Sequence, residues 1–163
     1  MDATLLDTDM LSEILKQRNA RVTTKAATYL EEHGRFTFSA FSRFEIRRGY
    51  VERRATRQLA RFNVFCDHSL VLPITDAILD RACVLWAEAR HSGHPRGDAD
   101  LLIAATALEN NLSLASGNIR HFAWLSKLGL EDWRTNVALL PRPPAVTLGP
   151  RLSISSTTNA SAA

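Results

Sequence analysis

Between positions 98 and 109 the chain reads Asp-Ala-Asp-Leu-Leu-Ile-Ala-Ala-Thr-Ala-Leu-Glu, and from 101 to 108 Thr106 is its only polar side chain. A helix that is apolar on nearly every side offers water no face, so it must lie buried between other layers. The flanking segments supply those layers. Leu5-Leu6 ahead of Asp7 reads as a short buried strand that ends in an acid, and Met10, Leu11, Ile14 and Leu15 follow at helical spacing. The unit recurs with a helix over about 22–33 stopped by Gly34, a strand at 36–38, and a helix from about Ser42 through an arginine-rich stretch to about Cys66. Next come a strand-like 70–73, an amphipathic helix over 76–90 carrying Ile78, Leu79, Ala82, Leu85 and Trp86, the buried helix itself, a strand at 112–115, and a closing segment over 121–133. Strands alternating with helices predict a mainly parallel sheet with right-handed crossovers and helices on both faces. The predicted fold class is therefore α/β, a three-layer α/β/α sandwich.

The chain's 163 residues, 45% apolar and 23% charged, suit one globular domain, placed at 1–140. Four of the six prolines fall at 141, 143, 144 and 150 and the chain ends in Ser-Ile-Ser-Ser-Thr-Thr-Asn-Ala-Ser-Ala-Ala, so 141–163 reads as a disordered tail, with 137–140 as an added edge strand. The two cysteines, Cys66 and Cys83, lack any ligand spacing, which excludes a zinc ribbon, a disulfide scaffold and a thioredoxin-like motif and leaves buried, reduced thiols. Neither a signal-peptide pattern nor an apolar run of membrane-spanning length is present, so the expected location is cytoplasmic, with no membrane partner. Charge is unevenly spread. From 43 to 61 there are seven arginines against Glu45 and Glu52, although the whole chain is only +3. Arg53, Arg57 and Arg61 would share one helical face and Arg43 and Arg47 another, able to grip phosphates or simply to face solvent.

The predicted topology brings Asp7, Glu45, Asp98, Asp100 and Asn118 to one edge of the sheet, since groups beyond the carboxyl ends of parallel strands converge on a common crevice. Carboxylates gathered there repel one another unless a cation compensates, and hard oxygen donors select Mg²⁺ or Mn²⁺. A carboxylate-held Mg²⁺ can orient a phosphodiester and activate water for in-line attack, so the implied reaction is phosphodiester hydrolysis. Each acid also has a purely structural reading. Ser42-Arg-Phe-Glu45 fits a capping box, Asp7-Thr8-Asp9 could cap the first helix, and Asp98 or Asp100 would suit a helix N-terminus without chemistry.

Five blocks stand in order over residues 3 to 133: Leu5-Leu-Asp7-Thr-Asp9, Ser42-Arg-Phe-Glu45-Ile-Arg-Arg-Gly49, the segment from Asp98 to Leu108, Ser116-Gly-Asn118-Ile-Arg-His-Phe122, and Gly129-Leu-Glu-Asp-Trp133. They resemble the signatures of PIN-domain ribonucleases, and most of all the VapC toxin branch of type II toxin–antitoxin systems. The resemblance implies a PIN-like fold and a Mg²⁺- or Mn²⁺-dependent endoribonuclease cutting tRNA, rRNA or mRNA. The family's acids fall on Asp7, Glu45 and Asp100 as metal ligands, with Asp98 as an additional ligand or cap and the neutral Asn118 at the fourth polar position. Position 9, often Asn in the family, is Asp9, and position 121, often acidic, is His121, for which a phosphate contact or a surface or capping role is open. The family also implies a homodimer and a cognate antitoxin that lays a segment across the acidic pocket, with Phe41, Phe44, Phe62 and Phe65 as apolar contacts in its groove or as core. A catalytically weak or inactive PIN-fold RNA- or partner-binding module and a structure-specific DNA nuclease are the alternatives. His91 and His94 have no third ligand in view, Ser92 and Ser116 lack a nucleophile elbow, and Trp86, Trp124 and Trp133 read as core or core-edge anchors.

Overall fold

The computed structural model describes residues 2–135 and the backbone of 138–140. The chain runs β1 (Thr4–Leu6), α1 (Thr8–Lys16), α2 (Ala20–His33), β2 (Thr37–Ser39), α3 (Ala40–Glu52), α4 (Thr56–Asp67), β3 (Leu70–Leu72), α5 (Asp76–His91), α6 (Asp98–Glu109), β4 (Ser113–Ala115), α7 (Ile119–Phe122), β5 (Leu130–Glu131) and β6 (Ala138–Leu140). The sheet order is β3-β2-β1-β4-β5-β6. Strands β1 to β5 pair in parallel, and β6 joins β5 antiparallel at the edge. The expected edge strand is therefore present over 138–140, whereas the predicted tail at 141–163 lies outside the described residues.

Alternation along β1 divides the core. Leu5 points into one cluster with Leu85, Ile103, Leu114 and Phe122, and Leu6 into the other with Met10, Tyr29, Phe38 and Phe62. The first cluster lies under α5, α6 and α7 and the second under α1 to α4, which gives the three-layer α/β/α sandwich. As its composition demands, α6 is enclosed, with Leu101, Ile103, Ala104, Ala105, Thr106 and Ala107 all buried.

Several local expectations are corrected. Helix α3 begins at Ala40, not at about Ser42, because Ser39 is the N-cap and its Oγ accepts the Ser42 N–H at 2.9 Å. Glu45 is thus inside the helix, and the Ser42-to-Glu45 capping box does not form. The arginine-rich stretch is not one helix. Arg54 takes a left-handed φ of 53°, and the Arg54 and Ala55 amides donate to the Val51 and Tyr50 carbonyls, a Schellman stop between α3 and α4. Arg53 consequently does not share a helical face with Arg57 and Arg61. On α5 the buried stripe is Ile78, Ala82, Leu85 and Ala89, which leaves Leu79 and Trp86 exposed at its side and Cys83 exposed rather than buried. Cys66 and Trp133 are buried as expected, and the two-residue β5 lies inside the predicted closing segment.

Candidate active site

The strand order reverses direction at β1, which lies between β2 and β4, so the crevice of this sheet opens where β1 and β4 end. Asp7 leaves the end of β1 and Ser116 the end of β4, and the two meet: Ser116 Oγ donates to Asp7 Oδ2 at 2.7 Å. Asp7 is also the N-cap of α1, its Oδ1 accepting the Thr8 N–H at 2.6 Å. With only 7% of its surface exposed, this carboxyl is pushed up to about 7. Burial is the main cause; the Ser116 hydroxyl opposes it, the charges of Asp9 and Asp100 add to it, and the Thr8 amide opposes. A carboxyl that is half protonated at neutral pH, with two acids nearby, is a site whose negative charge lacks compensation.

The remaining groups are tied to Asp7 by short links. From the second turn of α3, Glu45 Oε2 accepts the Thr8 Oγ1–H at 2.6 Å, so Glu45 is tied to the residue that follows Asp7. Asp100, in the first turn of α6, pairs through Oδ2 with His121 Nδ1 of α7 at 2.8 Å. Asp9 accepts the Gly117 N–H at 3.0 and 3.2 Å, and the Asn118 N–H donates to Ser116 Oγ at 2.9 Å, so α1 grips the turn after β4. The structure therefore gathers Asp7, Glu45 and Asp100 around the crevice with Asp9, Thr8, Ser116 and His121.

Asp98 is placed elsewhere. Two residues along a helix is roughly 200° of rotation, and Asp98 lines the groove between α5 and α6 with Trp86 and Leu102, away from Asp100. Asn118 is exposed at the start of α7, and its side chain does not cap that helix. Among the described residues, no three His, Cys, Asp or Glu side chains form a group that could hold a metal ion by themselves. The donors present are nevertheless carboxylate oxygens around a buried, under-compensated acid, which is the chemistry a hard divalent cation fits.

The sequence pattern of the PIN domain matches residues 4–127. This chain belongs to the PIN-domain family. Ribonuclease VapC1 of Methanocaldococcus jannaschii is 29% identical to it over 127 residues, 78% of this chain and 84% of that protein. Among solved structures, VapBC2 from Rickettsia felis bound to a DNA fragment from their promoter is similar with a TM-score of 0.73 at 19% identity, covering 80% of this chain and 98% of that one. VapBC-1 from nontypeable Haemophilus influenzae gives a TM-score of 0.72 at 22% identity over 82% of this chain and 99% of that one. The predicted three-layer fold is thus that of a PIN domain.

Within this PIN domain, the partners that orient the acids are what sequence reasoning misses. His121, open to phosphate contact or capping on sequence grounds, pairs with Asp100; Thr8 and Ser116 lie within the family-like blocks, which give their hydroxyls no role, and Arg134 lies outside those blocks. Two small polar residues directly after an acid and after a strand are the available signal for Thr8 and Ser116. Of the aromatics, Phe62 and Phe65 line a groove beneath α1, α2 and α4, while Phe41 and Phe44 pack on each other at 6.0 Å and leave Phe44 exposed. Among the described residues no helix is long and apolar enough to cross a membrane.

Proposed function

We propose that this protein is a metal-dependent endoribonuclease, the toxin of a type II toxin–antitoxin pair, acting in the cytoplasm as a homodimer. The observation that carries the reading is Asp7: a buried carboxyl held near its protonation midpoint, at the point where the strand order reverses, with the Asp9 and Asp100 charges around it. Asp7 and Asp100 would hold Mg²⁺ or Mn²⁺ with help from Glu45, and Asn118 would offer a neutral oxygen to a water at the rim. Asp98 remains as favourable charge on the α6 N-terminus rather than a ligand. Because no three acids converge among the described residues, one or two carboxylates would contact the ion and water would fill the rest of its shell, the habit of Mg²⁺. The bound ion supplies positive charge to the reacting phosphodiester and lowers the pKa of a water for in-line attack. The chain's own contribution is orientation: Ser116 and the Thr8 amide fix both Asp7 oxygens, Thr8 Oγ1 fixes Glu45, and His121 fixes Asp100.

Cleavage of total cellular RNA by purified protein in Mg²⁺, Mn²⁺ or EDTA, beside Asp100→Asn protein and a deoxyribose substrate, tests the reading. Discrete metal-dependent RNA fragments that vanish in the variant are the expected result. Metal and RNA binding without cutting would instead indicate a binding module, and preference for the deoxyribose strand a DNA nuclease.

RNA would reach the crevice along the basic surface of α3 and α4. Arg43 and Arg57 are exposed, whereas Arg47 is engaged with Asn63 Oδ1 at 2.8 Å and Arg48 with the Phe44 ring at 5.2 Å. Replacing both Arg43 and Arg57 with Ala should raise KM several-fold with kcat within about twofold. It should also flatten the dependence of KM on salt by about 0.7 in log–log slope for each phosphate that is no longer neutralised. An unchanged salt slope would remove these arginines from the RNA path.

The antitoxin would occupy the groove of about 500 Å³ lined by Ile14, Leu15, Ala27, Leu30, Phe62 and Phe65. Its floor is apolar and its rim carries Arg61, which suits the apolar face of an amphipathic helix.

A further inference from the structure

The turn after β4 is held from a direction that the acids do not explain. The backbone of Gly117 is held at both its polar atoms: Asp9 accepts its N–H, and Arg134 Nη2 donates to its carbonyl. Arg134 is itself fixed in orientation, because Asp132 accepts from Nε at 3.1 Å, from Nη2 at 3.2 Å and from the Arg134 backbone N–H at 2.9 Å. The segment that carries it is anchored in turn. Trp133 is 2% exposed and its indole N–H donates to Glu131 Oε2 at 3.1 Å, while the Glu131 carbonyl accepts the Ser116 N–H at 2.9 Å.

We propose that Arg134 is a positioning residue of the active site: its guanidinium locks the Ser116-Gly117-Asn118 turn and, through it, the Ser116 hydroxyl that orients Asp7. The proposal rests on the reading of Asp7 as a working carboxylate. Position 134 lies beyond the 4–127 segment that matches the PIN domain, so the family match does not assign it. Two features bear on the contact. A Cβ at Gly117 would overlap the Arg134 guanidinium and displace it, so a side chain at 117 and this contact exclude one another. Arg134 also stands in the field of Asp9 and Glu13 as well as Asp132, offsetting carboxylates on the outer flank of α1. Nε and Nη2 hold Asp132 while Nη2 also reaches the Gly117 carbonyl, an arrangement for a planar fork that an ammonium cannot reproduce.

Two readouts test this: Gly117 amide hydrogen exchange in the metal-free protein, and steady-state cleavage of an RNA oligonucleotide that the wild type cuts. Arg134→Ala should speed Gly117 exchange about tenfold or more and lower kcat roughly 10- to 100-fold, the range for groups that orient ligands, with KM within about twofold. Arg134→Lys should restore only part of the loss. Gly117→Ala should lower kcat similarly on its own, yet by less than about twofold in Arg134→Ala protein, because the two changes break one interaction. Unaltered Gly117 exchange in Arg134→Ala overturns the proposal, and so does faster exchange with full kcat, or losses that multiply in the double variant. Should the wild type cut no RNA, the ribonuclease reading fails separately, and Gly117 exchange still decides for or against the clamp.

Discussion

Asp7→Asn is expected to lower metal-dependent RNA cleavage by on the order of 10³-fold, about 4 kcal/mol of transition-state stabilisation, while making the metal-free protein more stable at pH 8. The two effects have one cause. Asp7 is buried with Asp9 and Asp100 in range, so its ionised form is disfavoured in the folded chain and its pKa rises from 3.8 to about 7. Between those values the folded state keeps a proton that the unfolded chain has released. Stability therefore falls as pH rises through the window from about 4 to 7, and the full penalty is present above it. At about 1.4 kcal/mol per unit this amounts to roughly 4 kcal/mol. Asn removes the titration yet keeps the α1 N-cap, since its side-chain oxygen can still accept the Thr8 amide. Urea unfolding in EDTA should show wild type and variant close at pH 4 and separated by a few kcal/mol at pH 8. A pH-independent difference would contradict the assignment of strain to this carboxyl. Excess Mg²⁺ should close the gap from the wild-type side, because an ion that binds only the folded, ionised form stabilises it by mass action.

The destabilisation at Asp7 also bears on what a sequence reveals. Its position after a two-leucine strand and before a helical pattern is readable, as are Glu45 and Asp100, because local periodicity sets strand ends and helix starts. The apolar stretch of α6 likewise dictates a buried central helix and so the layers. What is not readable depends on contacts between distant residues. Ser116 meets Asp7 across a separation of 109 residues, and His121 meets Asp100 only because α7 folds back over the head of α6. Between Asp98 and Asp100 the choice turns on helix phase relative to α5, which the acids themselves do not encode. Local misses have similar causes. Ser39 and Ser42 compete for one cap, and the earlier one wins because β2 ends there; Arg54 occupies a left-handed position that would ordinarily advertise itself as Gly or Asn. A two-residue strand such as β5 is too short to show alternation at all.

Separating toxicity from its control should require one substitution far from the acids. Ala27→Glu is expected to weaken antitoxin binding by roughly 30- to 5,000-fold and leave RNA cleavage unchanged, following the 2–5 kcal/mol attached to charges buried without a matched partner at interfaces. Ala27 lies exposed on α2 and lines the apolar groove with Leu15, Leu30 and Phe62. Glu is a good helix former, so α2 should lose only a few tenths of a kcal/mol. Its neighbours four residues away are Thr23 and Glu31, neither of which can neutralise it on its own helix. Among the described residues Arg61 is the one charged side chain lining the groove, and a Glu that reaches it still lies across the floor where an apolar side chain would dock. In either position an apolar side chain of the partner is displaced and a carboxylate must be desolvated. The measurement is inhibition of RNA cleavage by the cognate antitoxin, with its Kd by titration calorimetry. Undiminished inhibition of the Ala27→Glu protein would move the antitoxin off this groove while leaving the acidic site untouched, since the described lining of the groove includes none of Asp7, Thr8, Glu45, Asp100 and Ser116.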